Sequence, residues 1–109
     1  MVARRPRRRS IRLVIGSATH VGRIRDVNQD DVASGDDVYV VADGMGGHRG
    51  GEVASTVATA AVVQGFTGPD RASLVHAVRL ANRAVLERAA ADPELSGMGT
   101  TLCALAVVD

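Results

Sequence analysis

Two short stretches carry residue types that can do chemistry. The first is VYVVADGMGGHRGG, Val38 to Gly51, in which an apolar run ends at Asp43 and five of the next eight residues are glycine. A dinucleotide-binding turn would need G-x-G-x-x-G. Gly44 and Gly46 supply its first half, but Arg49 stands where the last glycine belongs, and Asp43 would repel a pyrophosphate. A Walker loop needs Gly-Lys-Ser/Thr, and the chain has no Lys. A carboxylate at a strand end followed by Gly is also a site for a hard cation. The Asp offers oxygen ligands of the kind Mg²⁺ and Mn²⁺ prefer, and the Gly lets its own carbonyl turn inward. The same letters describe a glycine-rich turn in which Asp43 caps the next helix. On this segment alone the two readings stand level.

The second stretch is RDVNQD, with Arg25 five residues before Asp30. Arg25 has the planar fork that grips a phosphate. Asp30 can hold a metal-bound water, with Asn28 and Gln29 hydrogen-bonding around it. The competing reading is surface ion pairing of Arg25 with Asp26, Asp30 or Asp31, which contributes little.

These residues must be placed by the elements around them. Leu13–Thr19 is predicted as a short strand, Gly22–Asp31 as a polar loop, and Val38–Val41 as a buried strand. A helix is predicted from Gly51 to Gln64, with Val53, Val57, Ala60 and Ala61 on its packed face. GFTGPD breaks it. A second helix runs from about Asp70 to Ala91, its apolar stripe made of Leu74, Val78, Ala81, Val85 and Ala89. Asp92-Pro93 ends that helix. A strand is predicted over Thr101–Val108, with Cys103 as a small buried hydrophobe in it. No hairpin partner follows this strand, so the chain reads as stopping early.

With those motifs in place, the chain resembles the metal-dependent Ser/Thr protein phosphatases of the PPM (PP2C) family. GRIRDVNQDD, VVADGMGGHRGGEVAS and GMGTTLCALAV stand in that family's order and spacing. The D-G-M-G-G-H run resembles the bacterial branch, and the likeness extends from Leu13 to Asp109. The resemblance implies an α+β fold, the N-terminal part of a four-layer α-β-β-α sandwich with antiparallel sheets. It divides the chain into a basic disordered tail, 1–12, and the N-terminal portion of a PPM-type domain, 13–109. It implies a binuclear Mn²⁺ or Mg²⁺ centre in the complete domain. Asp43 would bridge the metals, and Gly44 would ligate one through its carbonyl. Arg25 would bind the substrate phosphate, and Asp30 would lie near the metal-bound waters. Gly99, Thr100 and Thr101 match a structural G-T-T. The implied reaction is hydrolysis of phosphoserine or phosphothreonine by metal-activated water, with no phosphoenzyme. The implied partners are phosphorylated proteins, a Ser/Thr kinase among them, and the implied form is a cytoplasmic monomer.

Three departures qualify the resemblance. Met45 stands where eukaryotic members often carry a His after Asp-Gly, and His48 reads as a loop or cap residue, not as the acid. His20 lies where bacterial relatives usually carry Asp. The family's G-D-S-R segment and two later aspartates are not in this sequence. One carboxylate and one carbonyl hold two divalent ions poorly, so the 109 residues are expected to be weak or inactive alone.

Composition narrows the alternatives. At 109 residues, 46 % hydrophobic and 2 % aromatic, the chain suits one small domain with an aliphatic core. Its basic residues are all Arg, six of them within the first 12 positions. That cluster allows a small basic-tailed nucleic-acid binder as an alternative. No aromatics interleave it and the remainder is acidic, so a solvated tail without a nucleic-acid partner is expected. A non-catalytic PPM-like remnant or interaction module is the other alternative. A Cys-based phosphatase needs Cys-x5-Arg, and Asp109 stands six residues after Cys103. A single Cys points to a reducing compartment, and no apolar run reaches membrane-spanning length.

Overall fold

The fold is built around one strand whose side chains alternate strictly between two environments. In a computed structural model that describes residues 13–47 and 49–108, β2 (Val38–Met45) buries Val38, Val40, Ala42 and Gly44 while Val41, Asp43 and Met45 point outward. The expectations for residues 1–12 and for His48 lie outside the described residues. β2 is central in a four-stranded antiparallel sheet. On one side it pairs with β1 (Asp30–Ser34) in a register that sets Asp30 opposite Asp43 and Ser34 opposite Tyr39. On the other side it pairs with β3 (Gly99–Thr100) and β4 (Cys103–Ala106), setting Gly44 opposite Thr100 and Val41 opposite Cys103.

Two helices cover one face. α1 (Gly50–Gly65) lies against β2 and carries α2 (Arg71–Ala91) on its other side. The core is thin and aliphatic: Val38 and Val40 of the sheet, Ala54, Ala58 and Val62 of α1, Ala77, Ala81 and Val85 of α2, then Leu95 and Met98. Small side chains let the helices approach closely, so each fully buried Val contributes about 1.5–3 kcal/mol. The start of α2 is fixed locally. Asp70 Oδ1 accepts from the Ser73 amide at 2.7 Å, and Ser73 Oγ accepts from the amides of Thr67 and Gly68. Asp92 caps the short 3-10 turn Pro93–Leu95 by accepting from the Glu94 amide.

The α+β class and both helices agree with the sequence reading. Five details do not. Leu13–Thr19 pairs with no strand and is exposed throughout; its apolar letters have no ladder partner among the described residues. The loop expected over Gly22–Asp31 ends at Asn28 and Gln29, because Asp30 and Asp31 begin β1. Their polarity hid a strand whose carboxylates are spent on an open face and a helix contact. In α1, Val53, Val57 and Ala61 pack half-buried against the core as expected, but Ala60 is exposed and the fully buried face is Ala54, Ser55, Ala58, Thr59 and Val62. In α2, Leu74, Ala81, Val85 and Ala89 pack on the core as expected, Ala77 joins them, and Val78 is exposed. Cys103 is exposed, not buried, since β4 turns its Cβ to the uncovered side of the sheet.

Two close contacts tie the sheet to α1. A Cβ on Gly44 would collide with the Gly51 carbonyl oxygen. Thr59 is buried and donates through its hydroxyl to Asp31 Oδ2. Gly44→Ala is therefore expected to destabilise by about 3 kcal/mol or more, the backbone on both sides having to move. Thr59→Val should cost about 1–3 kcal/mol, because it strands the Asp31 carboxylate in a half-buried position. Urea unfolding followed by circular dichroism measures both.

Candidate functional site

The strand alternation sorts the sequence NQDD, residues 28–31, into two faces. Gln29, continuing the β1 register, comes opposite Gly44, and its carbonyl accepts from the Gly44 amide at 3.0 Å. Gln29 and Asp31 therefore lie toward α1. Asp30 lies on the uncovered face beside Asp43. β2 continues the same row on its other side to Thr101, whose amide donates to the Asp43 carbonyl at 2.9 Å. The Thr101 hydroxyl accepts from the Asp43 amide at 3.1 Å. Thus Asp43 is held by main-chain and side-chain bonds from Thr101, at the point where the pairing of β3 and β4 with β2 is interrupted.

Gly44 follows Asp43 and faces α1, so its missing side chain lets the first turn of the helix come down onto the sheet. Gly46, at φ +152°, then turns the chain in a conformation that L side chains rarely adopt. Gly50 closes the turn by donating to the Gly47 carbonyl at 2.9 Å. Arg25 is exposed and lines a pocket of about 360 Å³ together with Asp43, Gly44 and Thr101. A neighbouring pocket of about 380 Å³ is lined by His20, Asp30 and Asp43. A further pocket, about 440 Å³, is an apolar groove farther along the open face, beside Tyr39 and Leu105. It holds none of these charged groups.

The electrostatics of the row follow from its crowding. Desolvation by the surrounding protein, the hydrogen bond it shares with the Asp43 side chain, and the like charge of Asp43 all push the Asp30 carboxyl above its ordinary 3.8. The positive charge of Arg25 acts the other way. Two adjacent carboxylates and main-chain carbonyls are hard oxygen donors, the chemistry that suits Mn²⁺ or Mg²⁺. The donor set is partial: no group of three His, Cys, Asp or Glu side chains able to hold a metal occurs among the described residues.

All four residues singled out from the sequence, Arg25, Asp30, Asp43 and Gly44, come together here. Asn28 does bond around Asp30, accepting from its amide at 3.0 Å and donating to the Thr19 hydroxyl. Gln29 does not; its side chain faces the helix. The clasp of Thr101 on Asp43 is visible only once strands are paired. His20 accepts from the Gly22 amide through Nδ1 at 2.8 Å, which shapes its own turn.

The chain is similar to known proteins over most of its length. The family profile "Protein phosphatase 2C" matches residues 19–109. The serine/threonine protein phosphatase PstP of Mycobacterium tuberculosis is 43 % identical over 88 residues, 77 % of this chain and 17 % of that protein. The protein phosphatase PhpP of Streptococcus pneumoniae is 33 % identical over 107 residues, 87 % of this chain and 43 % of that protein. A solved catalytic domain of PstP, in complex with two manganese ions, superposes with a TM-score of 0.73 at 40 % identity, over 83 % of this chain and 41 % of that one. The chain thus spans less than half the length of the relatives it matches. A family match over residues 19–109 places this chain in the protein phosphatase 2C family.

Proposed function

We propose that this chain is the N-terminal portion of a metal-dependent protein serine/threonine phosphatase. The observation that carries the reading is the meeting of Arg25, Asp43 and Gly44 on one pocket, with Asp30 paired to Asp43 across the ladder. Asp43 and the Gly44 carbonyl would hold Mn²⁺ or Mg²⁺, and Asp30 would accept hydrogen bonds from water beside them. Bound metal supplies a water acidified enough to attack phosphorus near neutral pH. Arg25 binds and orients the phosphoryl oxygens and offsets their charge. Thr101 fixes the backbone from which the Asp43 side chain projects. The substrates on this reading are phosphoserine and phosphothreonine proteins, a Ser/Thr kinase among them. The division into a basic tail, 1–12, and a phosphatase portion, 13–109, belongs to the same reading. So do a monomeric form and a cytoplasmic setting. No helix among the described residues is long and apolar enough to cross a membrane.

The test is a chimera in which residues 19–109 replace the matching segment of the PstP catalytic domain. It is expected to hydrolyse a phosphothreonine peptide with Mn²⁺. Asp43→Asn should lower kcat by about a hundredfold or more, and Arg25→Ala should mainly raise KM. Full activity in the Asp43→Asn chimera would refute the assignment. The 109-residue chain alone is expected to give little Mn²⁺-dependent hydrolysis of an aryl phosphate. Strong hydrolysis abolished by Asp43→Asn would show that these donors suffice.

The raised Asp30 pKa gives a second prediction. The folded chain holds that proton more tightly than the unfolded one. The stabilisation is complete below 3.8, the unfolded value, and is lost as pH rises through the raised native value. Without metal, Asp30→Asn should therefore raise Tm at pH of about 7 and leave it nearly unchanged at about 3. A Tm difference independent of pH would contradict this electrostatic account.

A further inference from the structure

We propose that Gln29 is a positioning residue. Its side chain holds the Gly44–Gly47 turn in place from the helix side of the sheet. The inference rests on the reading of Asp43 and Gly44 as metal ligands.

Three observations converge on this side chain. Its main chain already grips the turn, accepting from the Gly44 amide at 3.0 Å. Its carboxamide continues toward the turn and donates through Nε2 to the Gly46 carbonyl at 3.4 Å, a long bond. The same carboxamide fills the space in front of Gly51: a Cβ there would fall 2.6 Å from Gln29 Cδ and 2.7 Å from Nε2. Gln29 is thus wedged between the turn that leaves β2 and the first turn of α1. Gly46 takes a backbone conformation open mainly to glycine, so the turn has little rigidity of its own. A donor fixed from behind supplies it. Thr101 clasps Asp43 from the link between β3 and β4, and Gln29 bonds Gly44 and Gly46 from the helix side, so Asp43 and the residues after it are held from opposite sides.

The test uses two variants of the full 109-residue chain. Gln29→Met keeps an unbranched side chain of similar length and removes the donor. Gly51→Ala leaves Gln29 in the sequence but displaces its carboxamide, while favouring the helix. Amide hydrogen exchange is read at Gly50, whose N–H donates to Gly47, with Val62 and Ala81 as core references. Both variants are expected to speed exchange at Gly50 about tenfold or more and leave the two core amides unchanged. Mn²⁺ affinity, titrated by the paramagnetic signal of the free ion, should fall roughly 10–100-fold, the usual effect of losing an outer partner of a ligand. Unchanged exchange at Gly50 in both variants overturns the proposal. So does faster exchange at all three amides alike, which marks general destabilisation. If the unaltered chain binds Mn²⁺ too weakly to titrate, as its partial donor set allows, the exchange pattern alone decides the role of Gln29 and the Asp43→Asn chimera decides the metal reading. If it binds Mn²⁺ and Gln29→Met binds equally well, the positioning role fails and the metal reading stands.

Discussion

The site depends on one close approach, that of the first turn of α1 to the β2 backbone at Gly44. No side chain fits between Gly44 and the Gly51 carbonyl. Because the helix comes down there, the chain must leave β2 and reverse within the few residues from Gly46 to Arg49. That reversal is what leaves Asp43 near the end of a strand with its carboxylate on the uncovered face. A larger residue at Gly44 would lift the helix, and the thin core of Ala and Val beneath it has few large side chains with which to fill the gap.

The alternation of β1 and β2 then assigns the polar residues. Asp31 and Gln29 point to the helix, where Asp31 accepts from buried Thr59 and Gln29 sits against Gly51. Asp30 and Asp43 point away from it. One run of four letters therefore anchors the helix layer and sets a carboxylate on the open face beside Asp43, and a slip of one residue in the β1–β2 register would exchange the two sets. The long pairing from Asp30 to Ser34 fixes that register against slippage.

Much of this was legible in the sequence. The two helices announced themselves through spacing and breakers. Arg25, Asp30, Asp43 and Gly44 were singled out by residue type and by the family resemblance, and the fold brings the four together. What was not legible concerns faces and partners. Apolar letters at Leu13–Thr19 look like a strand but find no ladder, and the acidic start of β1 looks like a loop. Cys103 looks like a core residue because periodicity cannot tell a covered face from an open one. In α1 the packed face is lined by Ser55 and Thr59, which hydrophobicity patterns pass over. Their hydroxyls are satisfied by the Glu52 carbonyl and by Asp31, so burial there follows hydrogen bonding more than apolarity.

The open face shows how differently its rows are stabilised. Near Tyr39 and Leu105 it is apolar, with Leu105 63 % exposed, and what it lacks is cover. At Asp30 and Asp43 it is anionic, and what it lacks is positive charge. Arg25 supplies one compensating charge from a flexible, exposed side chain, too little to return Asp30 to its ordinary pKa. A divalent cation would relieve the repulsion directly, since it interacts favourably with both ionised carboxylates. The crowding that costs stability in the metal-free chain is thus the same feature that would favour a cation. Thr101 and Asn28, by holding the backbones of Asp43 and Asp30, keep the two carboxylates from relaxing apart.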